Sequence, residues 1–277
     1  MQLQTISQAK EMRAIGPISP IGPIGPIFMY ISIIPAIDLR AGRCVRLTQG
    51  RKDETTIYDG DPIDIALRYE ASGAEMIHLV DLDGAFSDPG SRNRQVLREI
   101  ISRIGIPLQF GGGLRSPDEV AEVIELGVAR VVIGTLAVEA PESLDQALRV
   151  FGADRIAVGI DARNGQVLTR GWEKEGKLSA LELAQNVASM GVERIIYTDV
   201  ARDGMLTGVN VEQTCLIARE SGLKVTASGG VSSLEDIERL MNAVSGMAGD
   251  GQIDSLIIGK AIYEGRFTIE QAIDAAK

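Results

Sequence analysis

Two aspartates close similar apolar runs in distant parts of this 277-residue chain: Asp38 ends Ile34-Pro-Ala-Ile-Asp38, and Asp161 ends Val158-Gly-Ile-Asp161. Two carboxylates in matched surroundings suit acid–base work, because one can be kept ionised as a base while the other is kept protonated as an acid. Taken singly, each aspartate has a plainer alternative, a loop cap bonded to backbone N–H groups. The glycine turns show the same doubling. Gly111-Gly-Gly113 and Gly134-Thr135 are matched later by Gly229-Gly230 and Gly259-Lys260. Glycine lets backbone N–H groups come close to an oxyanion, and a helix starting behind the turn adds its dipole. Gly112, Gly113, Gly134 and Thr135 are therefore candidates for one phosphate, and Gly229, Gly230, Gly259 and Lys260 for a second. A small-molecule substrate with a phosphate at each end is predicted.

Further polar residues lie near these points. Thr198 is placed to orient an acid or hold a sugar oxygen, with Asp199 beside it and Asp203 in the same loop. Arg170-Gly-Trp172 offers a guanidinium and the only Trp of the chain, a pair suited to holding a planar heterocycle by stacking. Arg46 is placed to reach an anionic group from the loop after Asp38. His78, the only histidine, falls inside an apolar run and reads as structural, which leaves no His-based triad and no multi-His metal site.

These residues need a scaffold that points them at one space. Apolar runs at Ile33–Ile37, Met76–Val80, Ile106–Phe110, Arg130–Ile133, Arg155–Ile160, Arg194–Thr198, Lys224–Ala227 and Ser255–Ile258 alternate with amphipathic stretches. Strands that are nearly all apolar and alternate with helices form parallel sheets covered by those helices. Helix starts are marked at Ser116 with Glu119 and Pro117 between them, at Ser232 with Glu235, and at Thr268 with Gln271. Eight such units predict a single (β/α)₈ barrel. Its active site lies at the C-terminal strand ends, where Asp38 and Asp161 face each other from strands one and five. An internal repeat supports closure over an open doubly wound sheet: Gln109-Phe-Gly-Gly-Gly-Leu-Arg-Ser116 aligns with Thr226-Ala-Ser-Gly-Gly-Val-Ser-Ser233, and Leu79-Val-Asp-Leu-Asp-Gly84 with Tyr197-Thr-Asp-Val-Ala-Arg-Asp-Gly204. The expected organisation is a tail over residues 1–31 and a barrel over 32–277, with similar half-barrels over about 32–153 and 154–277.

Composition narrows the partners. A formal net charge of −10 argues against nucleic acid and anionic membranes. Two cysteines, Cys44 and Cys215, make neither a disulfide framework nor a zinc-ligand cluster, which points to a reducing cytoplasm. The uncharged stretch Ile15–Ile37 is long enough to span a membrane, but Pro17, Pro20, Pro23 and Pro26 interrupt it every third residue. It reads as an extended or disordered tail, and Met29 offers itself as an alternative start.

Taken together, several motifs resemble the isomerase family of histidine biosynthesis: Ile34-Pro-Ala-Ile-Asp-Leu39, Gly42-Arg-Cys-Val-Arg-Leu47, Val80-Asp-Leu-Asp-Gly-Ala-Phe86, Phe110-Gly-Gly-Gly-Leu-Arg115, Thr169-Arg-Gly-Trp172, Asp203-Gly204 and Ser228-Gly-Gly-Val231. The resemblance runs from about Ile33 to the C-terminus. It implies an aldose–ketose isomerase that converts the phosphoribosyl-formimino derivative of aminoimidazole carboxamide ribonucleotide into its phosphoribulosyl isomer. It further implies Asp38 as general base, Asp161 as general acid with Thr198 assisting, no cofactor or metal, and a monomer. Three alternatives stand beside this expectation. A dual-substrate isomerase would also accept phosphoribosyl anthranilate, with Arg46 or Arg170 turned inward to its carboxylate. The cyclase of the same pathway shares the barrel, but Asp38-Leu-Arg40 replaces its usual Asp-Val-Lys. A non-catalytic sugar-phosphate-binding barrel would have no need of the paired aspartates.

Overall fold

The computed structural model describes residues 30–48, 51–88, 92–247 and 251–277. The predicted tail up to residue 29, with the alternative start at Met29, lies outside the described residues. Tyr30 and Ile31, placed in the tail by the sequence, are described: Ile31 is buried, and its N–H donates to the Ala276 carbonyl over 3.1 Å.

The strands are β1 (Ser32–Arg40), β2 (Arg43–Thr48), β3 (Arg51–Ile57), β4 (Ile77–Asp81), β5 (Leu108–Gly111), β6 (Arg130–Ile133), β7 (Ile156–Arg163), β8 (Gln166–Thr169), β9 (Lys174–Ser179), β10 (Arg194–Asp199), β11 (Lys224–Ser228) and β12 (Gln252–Ile258). Eight of them, β1-β4-β5-β6-β7-β10-β11-β12, pair in parallel in that order, and β12 returns to β1 with Ser32 opposite Ser255. This is the closed (β/α)₈ barrel that the alternation predicts, and each predicted run falls on one of its strands. A main helix follows every barrel strand: Pro62–Ala71, Arg92–Arg103, Pro117–Glu125 and Pro141–Phe151 in the first half, then Ala180–Ser189, Val211–Ser221, Leu234–Ser245 and Ile269–Ala275 in the second.

Strand side chains alternate between faces, and that alternation sorts the core. Ile33, Ile37 and Leu39 of β1 join Leu79, Leu97, Ile100 and Phe110 in the layer beneath the helices. Ile34 and Ala36, the intervening residues, fill the barrel with Ala157, Ile196 and Ile257. Asp38 continues that inward series, as Asp161 follows Ala157 and Thr198 follows Ile196. Full burial of each such aliphatic side chain is worth about 1.5–3 kcal/mol. The column of apolar residues therefore holds the polar groups at its top. One layer below Asp38, level with Ala36, Gln109 donates to His78 Nδ1 over 3.1 Å, and burial pushes the His78 pKa down to about 3, which keeps the ring neutral.

The helix starts at Ser116, with the side chain accepting from Glu119 N–H, and at Thr268, with a full capping box to Gln271, are present. The third is corrected by one residue. Helix Leu234–Ser245 takes Ser233 as its cap and Asp236 as the box partner, while Ser232 also bonds Asp236 from its N–H and hydroxyl over 2.8 and 2.6 Å. Asp236 wins over Glu235 because it is the third residue beyond the true cap.

Two hairpins that the sequence reads as loops extend the sheet. β2 and β3 fold back from β1 across a turn at Ala41 and Gly42 (φ 50° and 76°). β8 and β9 fold back from β7 across Asn164 and Gly165 (φ 52° and 81°). Both are two-residue turns with positive φ, which match strand twist. The hairpins stand at equivalent places in the two halves, directly above Asp38 and Asp161.

Candidate active site

β1 and β7 lie opposite each other around the barrel, so Asp38 and Asp161 enter the cavity from facing walls. Each is partly buried, and their surroundings differ. Asp38 accepts from Arg46 Nη1 at 2.7 Å, and Arg46 Nη2 reaches Asp203 at 3.3 Å. Burial raises the Asp38 pKa, Arg46 acts against that by attraction and hydrogen bonding, and the neighbouring Asp203 charge raises it further. Among the described residues Asp161 has no cationic partner. Burial raises its pKa, and the Trp172 and Thr198 side chains oppose the rise by donating toward the carboxylate. One carboxylate is thus matched with a permanent cation, and the other rests on neutral donors.

Register explains this grouping. Thr198 lies opposite Asp161 on β10 and opposite Ser228 on β11, which sets the three at one level. Arg46 arrives from β2, paired antiparallel to β1 with Asp38 opposite Val45. Arg46 packs flat on Gly259, where an added Cβ would stand 2.4 Å from the guanidinium carbon. Its Nε–H is buried with no acceptor among the described residues, which leaves a donor for a ligand. A buried ion pair seldom stabilises a fold beyond an apolar replacement, so this triad of charges is better explained by chemistry than by stability.

The predicted phosphate residues form two related turns. Gly112 and Gly113 have φ of 107° and 75°, Gly229 and Gly230 φ of 90° and 93°. An added Cβ would fall 2.2 Å from Asp81 O at Gly112 and 2.3 Å from Gly208 O at Gly230, so no other residue fits without backbone movement. Gly134 and Gly259 share a second unusual conformation (φ −101°, ψ −93° and φ −115°, ψ −88°), each at the start of a short helix with no side-chain cap. The second turn opens on a pocket lined by Arg46, Asp203, Gly204, Gly229, Gly230, Gly259 and Lys260. Lys260 spans it, with Nζ donating to Gly204 O over 2.8 Å. A larger cleft at the opposite end is walled mainly by Tyr30, Ile31, Ile33, Gly73, Ile273 and Ala276, with Ser32 donating to Glu75 over 3.3 Å at its side.

One predicted residue stands elsewhere than the sequence suggests. Arg170 does not face the cavity: its guanidinium clasps Glu139 over 2.9 and 3.0 Å with its side chain 61% exposed. Thr135 gives its hydroxyl oxygen to the Arg170 N–H at 2.9 Å. Trp172 does reach the site, at φ 70°, behind Gly171 at φ 65° and Arg170 at φ 56°. Three successive left-handed residues, two of them bulky, store strain that a docked tip must hold. Gly171 is required because a Cβ would meet the Phe86 ring at 2.6 Å.

The sequence reading missed a pair of clasps beneath the loops. Asn93 donates to Asp81 at 2.7 Å and Asp83 at 2.9 Å, and Asn210 donates to Asp199 at 2.7 Å. Carried further, the repeat that aligns Asp81 with Asp199 also brings Asn93 close to Asn210, so the signal was present. Among the described residues no cluster of three His, Cys, Asp or Glu side chains is placed to hold a metal ion, and no helix is long and apolar enough to cross a membrane.

The chain is similar to known proteins along most of its length. The family model described as histidine biosynthesis protein matches residues 32–268. A protein of Carboxydothermus hydrogenoformans, named 1-(5-phosphoribosyl)-5-((5-phosphoribosylamino)methylideneamino) imidazole-4-carboxamide isomerase, is 48% identical over 241 residues, 87% of this chain and 96% of that protein. A protein of the same name from Hahella chejuensis is 47% identical over 246 residues, 87% of this chain and 96% of its own. Another from Lachnoclostridium phytofermentans is 44% identical over 240 residues, 87% and 97% of the two chains.

Proposed function

The chain belongs to the histidine-biosynthesis protein family, and we propose that it is the aldose–ketose isomerase that its relatives are named for. Its substrate is the phosphoribosyl-formimino derivative of aminoimidazole carboxamide ribonucleotide, and its product the phosphoribulosyl isomer.

The reaction needs an acid and a base on opposite sides of a ribose. Asp161 is the acid: it gives its proton to the ring oxygen, the bond from that oxygen to the anomeric carbon breaks, and the amine nitrogen forms an iminium with that carbon. Asp38 is the base: it takes the proton from the neighbouring carbon, giving an enolamine that becomes the ketone as its hydroxyl gives up its proton and the anomeric carbon gains one. The iminium is the electron sink, so the chemistry balances without metal or cofactor. The observation that carries this assignment is the placing of Arg46, which favours the ionised form of Asp38, while Asp161 is partly buried with neutral donors. Each proton transfer is worth on the order of 10²–10⁴ in rate. The glycine turns at 112–113 with 134–135 and at 229–230 with 259–260 take the two phosphates, and Trp172 holds the heterocycle over Asp161. The same reading makes the protein a cytoplasmic monomer.

The test is turnover on two substrates, the two-phosphate imidazole ribonucleotide and phosphoribosyl anthranilate. Activity on the first alone is expected, because Arg170 is engaged by Glu139 and does not face the cavity. Activity on both would establish the dual-substrate alternative, and activity on neither with binding intact would leave a non-catalytic barrel.

A further inference from the structure

Tyr263 ends the short helix Lys260–Tyr263 that begins at the Gly259 turn. Its ring stacks on Tyr58 with centroids 4.6 Å apart and 28° between planes, and meets the Tyr69 ring edge-on at 6.4 Å. Tyr58 directly follows β3, and its N–H donates to Cys44 O over 3.1 Å, so it closes the first hairpin. Cys44 and Arg46 project from the same face of β2, two residues apart. That face lies along the helix: Arg46 rests on Gly259 at its start, and Cys44 is buried beside Tyr263 at its end. The Tyr263 hydroxyl is buried beside the Tyr69 hydroxyl and the Cys44 thiol without a well-formed hydrogen bond among the described residues, and the rings and their packing make the larger part of this contact.

The anchors of Arg46 all lie outside β2. It touches two carboxylates that belong to other elements and packs on Gly259, and its Nε has no acceptor among the described residues. A long side chain loses rotamer freedom when it is fixed, so its position depends on how firmly β2 is held. We propose that Tyr263 and Tyr58 are positioning residues for the isomerisation, whose stack clamps the first hairpin to the short helix after β12 and thereby fixes Arg46 between Asp38 and Asp203. The inference rests on the isomerase reading. Neither tyrosine touches the reacting atoms; they act through Arg46.

The groups facing Asp38 are Arg46 from β2, Asp203 from the loop after β10, and the neutral Cys44, Tyr58 and Tyr263. Arg46 is the one cation in that set. Loosening it raises the apparent pKa of Asp38, which moves the acid limb of kcat/KM to higher pH. The sign follows because a base must be ionised to work, and a lost cation makes ionisation harder.

The experiment compares Tyr263→Leu, Tyr58→Leu and Tyr263→Phe with the wild type in pH profiles of kcat/KM on the two-phosphate substrate. Displacements near 1 Å cost on the order of 10²-fold in rate. Both leucine variants are expected to lose about 10- to 100-fold, with the acid limb raised by about one unit or more, as expected when an arginine leaves a carboxylate. Tyr263→Phe keeps the ring and is expected to keep the wild-type limb. Tyr58 is half-buried, so its variant remains informative even where Tyr263→Leu fails to fold. Leucine variants that lose thermal stability while the limb stays in place would overturn the proposal. An inactive wild type would instead overturn the isomerase reading on which it rests.

Discussion

The two halves of the barrel carry the same parts and use them differently. In the first half Asp83 is spent on structure: its carboxylate accepts from Ala41 N–H at 2.8 Å and from Asn93 at 2.9 Å, and it pins the turn of the first hairpin. Its counterpart Asp203 reaches across to Arg46. The segments differ in length, Asp81-Leu-Asp83 against Asp199-Val-Ala-Arg-Asp203, and the longer one carries its carboxylate to the cavity. The hairpins diverge in parallel. The first is held by a buried aromatic stack on the helix after β12, the second by exposed ion pairs from Arg170 and Lys174 to Glu139 on the helix after β6. A duplicated scaffold thus supplies equivalent positions, and local changes give one aspartate an arginine partner and the other neutral donors.

The comparison breaks most sharply at the aspartates themselves. Asp38→Asn and Asp161→Asn are each expected to lower kcat by about 10²–10⁴-fold with little change in substrate binding, measured by steady-state kinetics and calorimetric titration. Near-full activity in either variant would end its assignment.

A crossed pair of substitutions sharpens it next. Asp203→Asn is expected to lower kcat/KM by about 10- to 100-fold, the value of a charged hydrogen bond, with little change in Tm. Asp83→Asn is expected to do the reverse, costing about 1–3 kcal/mol in denaturant unfolding while kcat stays near wild type, because it disturbs buried bonds to Ala41 and Asn93. Equal effects of the two variants on activity would show that the halves are not specialised as described.

The smallest effect separates the hairpins. Exposed ion pairs are weak and screened by salt. Glu139→Gln is expected to raise KM by roughly two- to fivefold at low ionic strength, with wild type and variant converging at about 0.5 M NaCl. Ring packing is not screened by salt, so a Tyr58→Leu defect is expected to persist at every salt concentration.

The barrel was legible because its strands are dense apolar runs that recur in register with glycine turns, and each strand could be read alone. The hairpins were not, since β3 (Arg51-Lys-Asp-Glu-Thr-Thr-Ile57) and β9 (Lys174-Glu-Gly-Lys-Leu-Ser179) are polar edge strands without apolar alternation. Asn164-Gly165 was the one clear hairpin signal in either. Asp38, Asp161 and Thr198 could be placed because alternation puts them at strand tops on the inward face. The partner of Arg46 on the far side, Asp203, lies 157 residues away, and the direction of Arg170 depends on Glu139 in a different βα unit. Contacts of that kind arise from closure of the barrel and leave no local pattern.

The division of labour between the two aspartates is tested most directly by the pH dependence of kcat/KM for the wild type, Asp38→Asn and Asp161→Asn on the two-phosphate substrate. A bell is expected for the wild type, falling in acid as Asp38 is protonated and in alkali as Asp161 loses its proton. Residual activity of Asp38→Asn should lack the acid limb, and that of Asp161→Asn the alkaline limb. The same limb lost in both variants, or both limbs kept in each, would contradict the assignment of base and acid to opposite halves of the barrel.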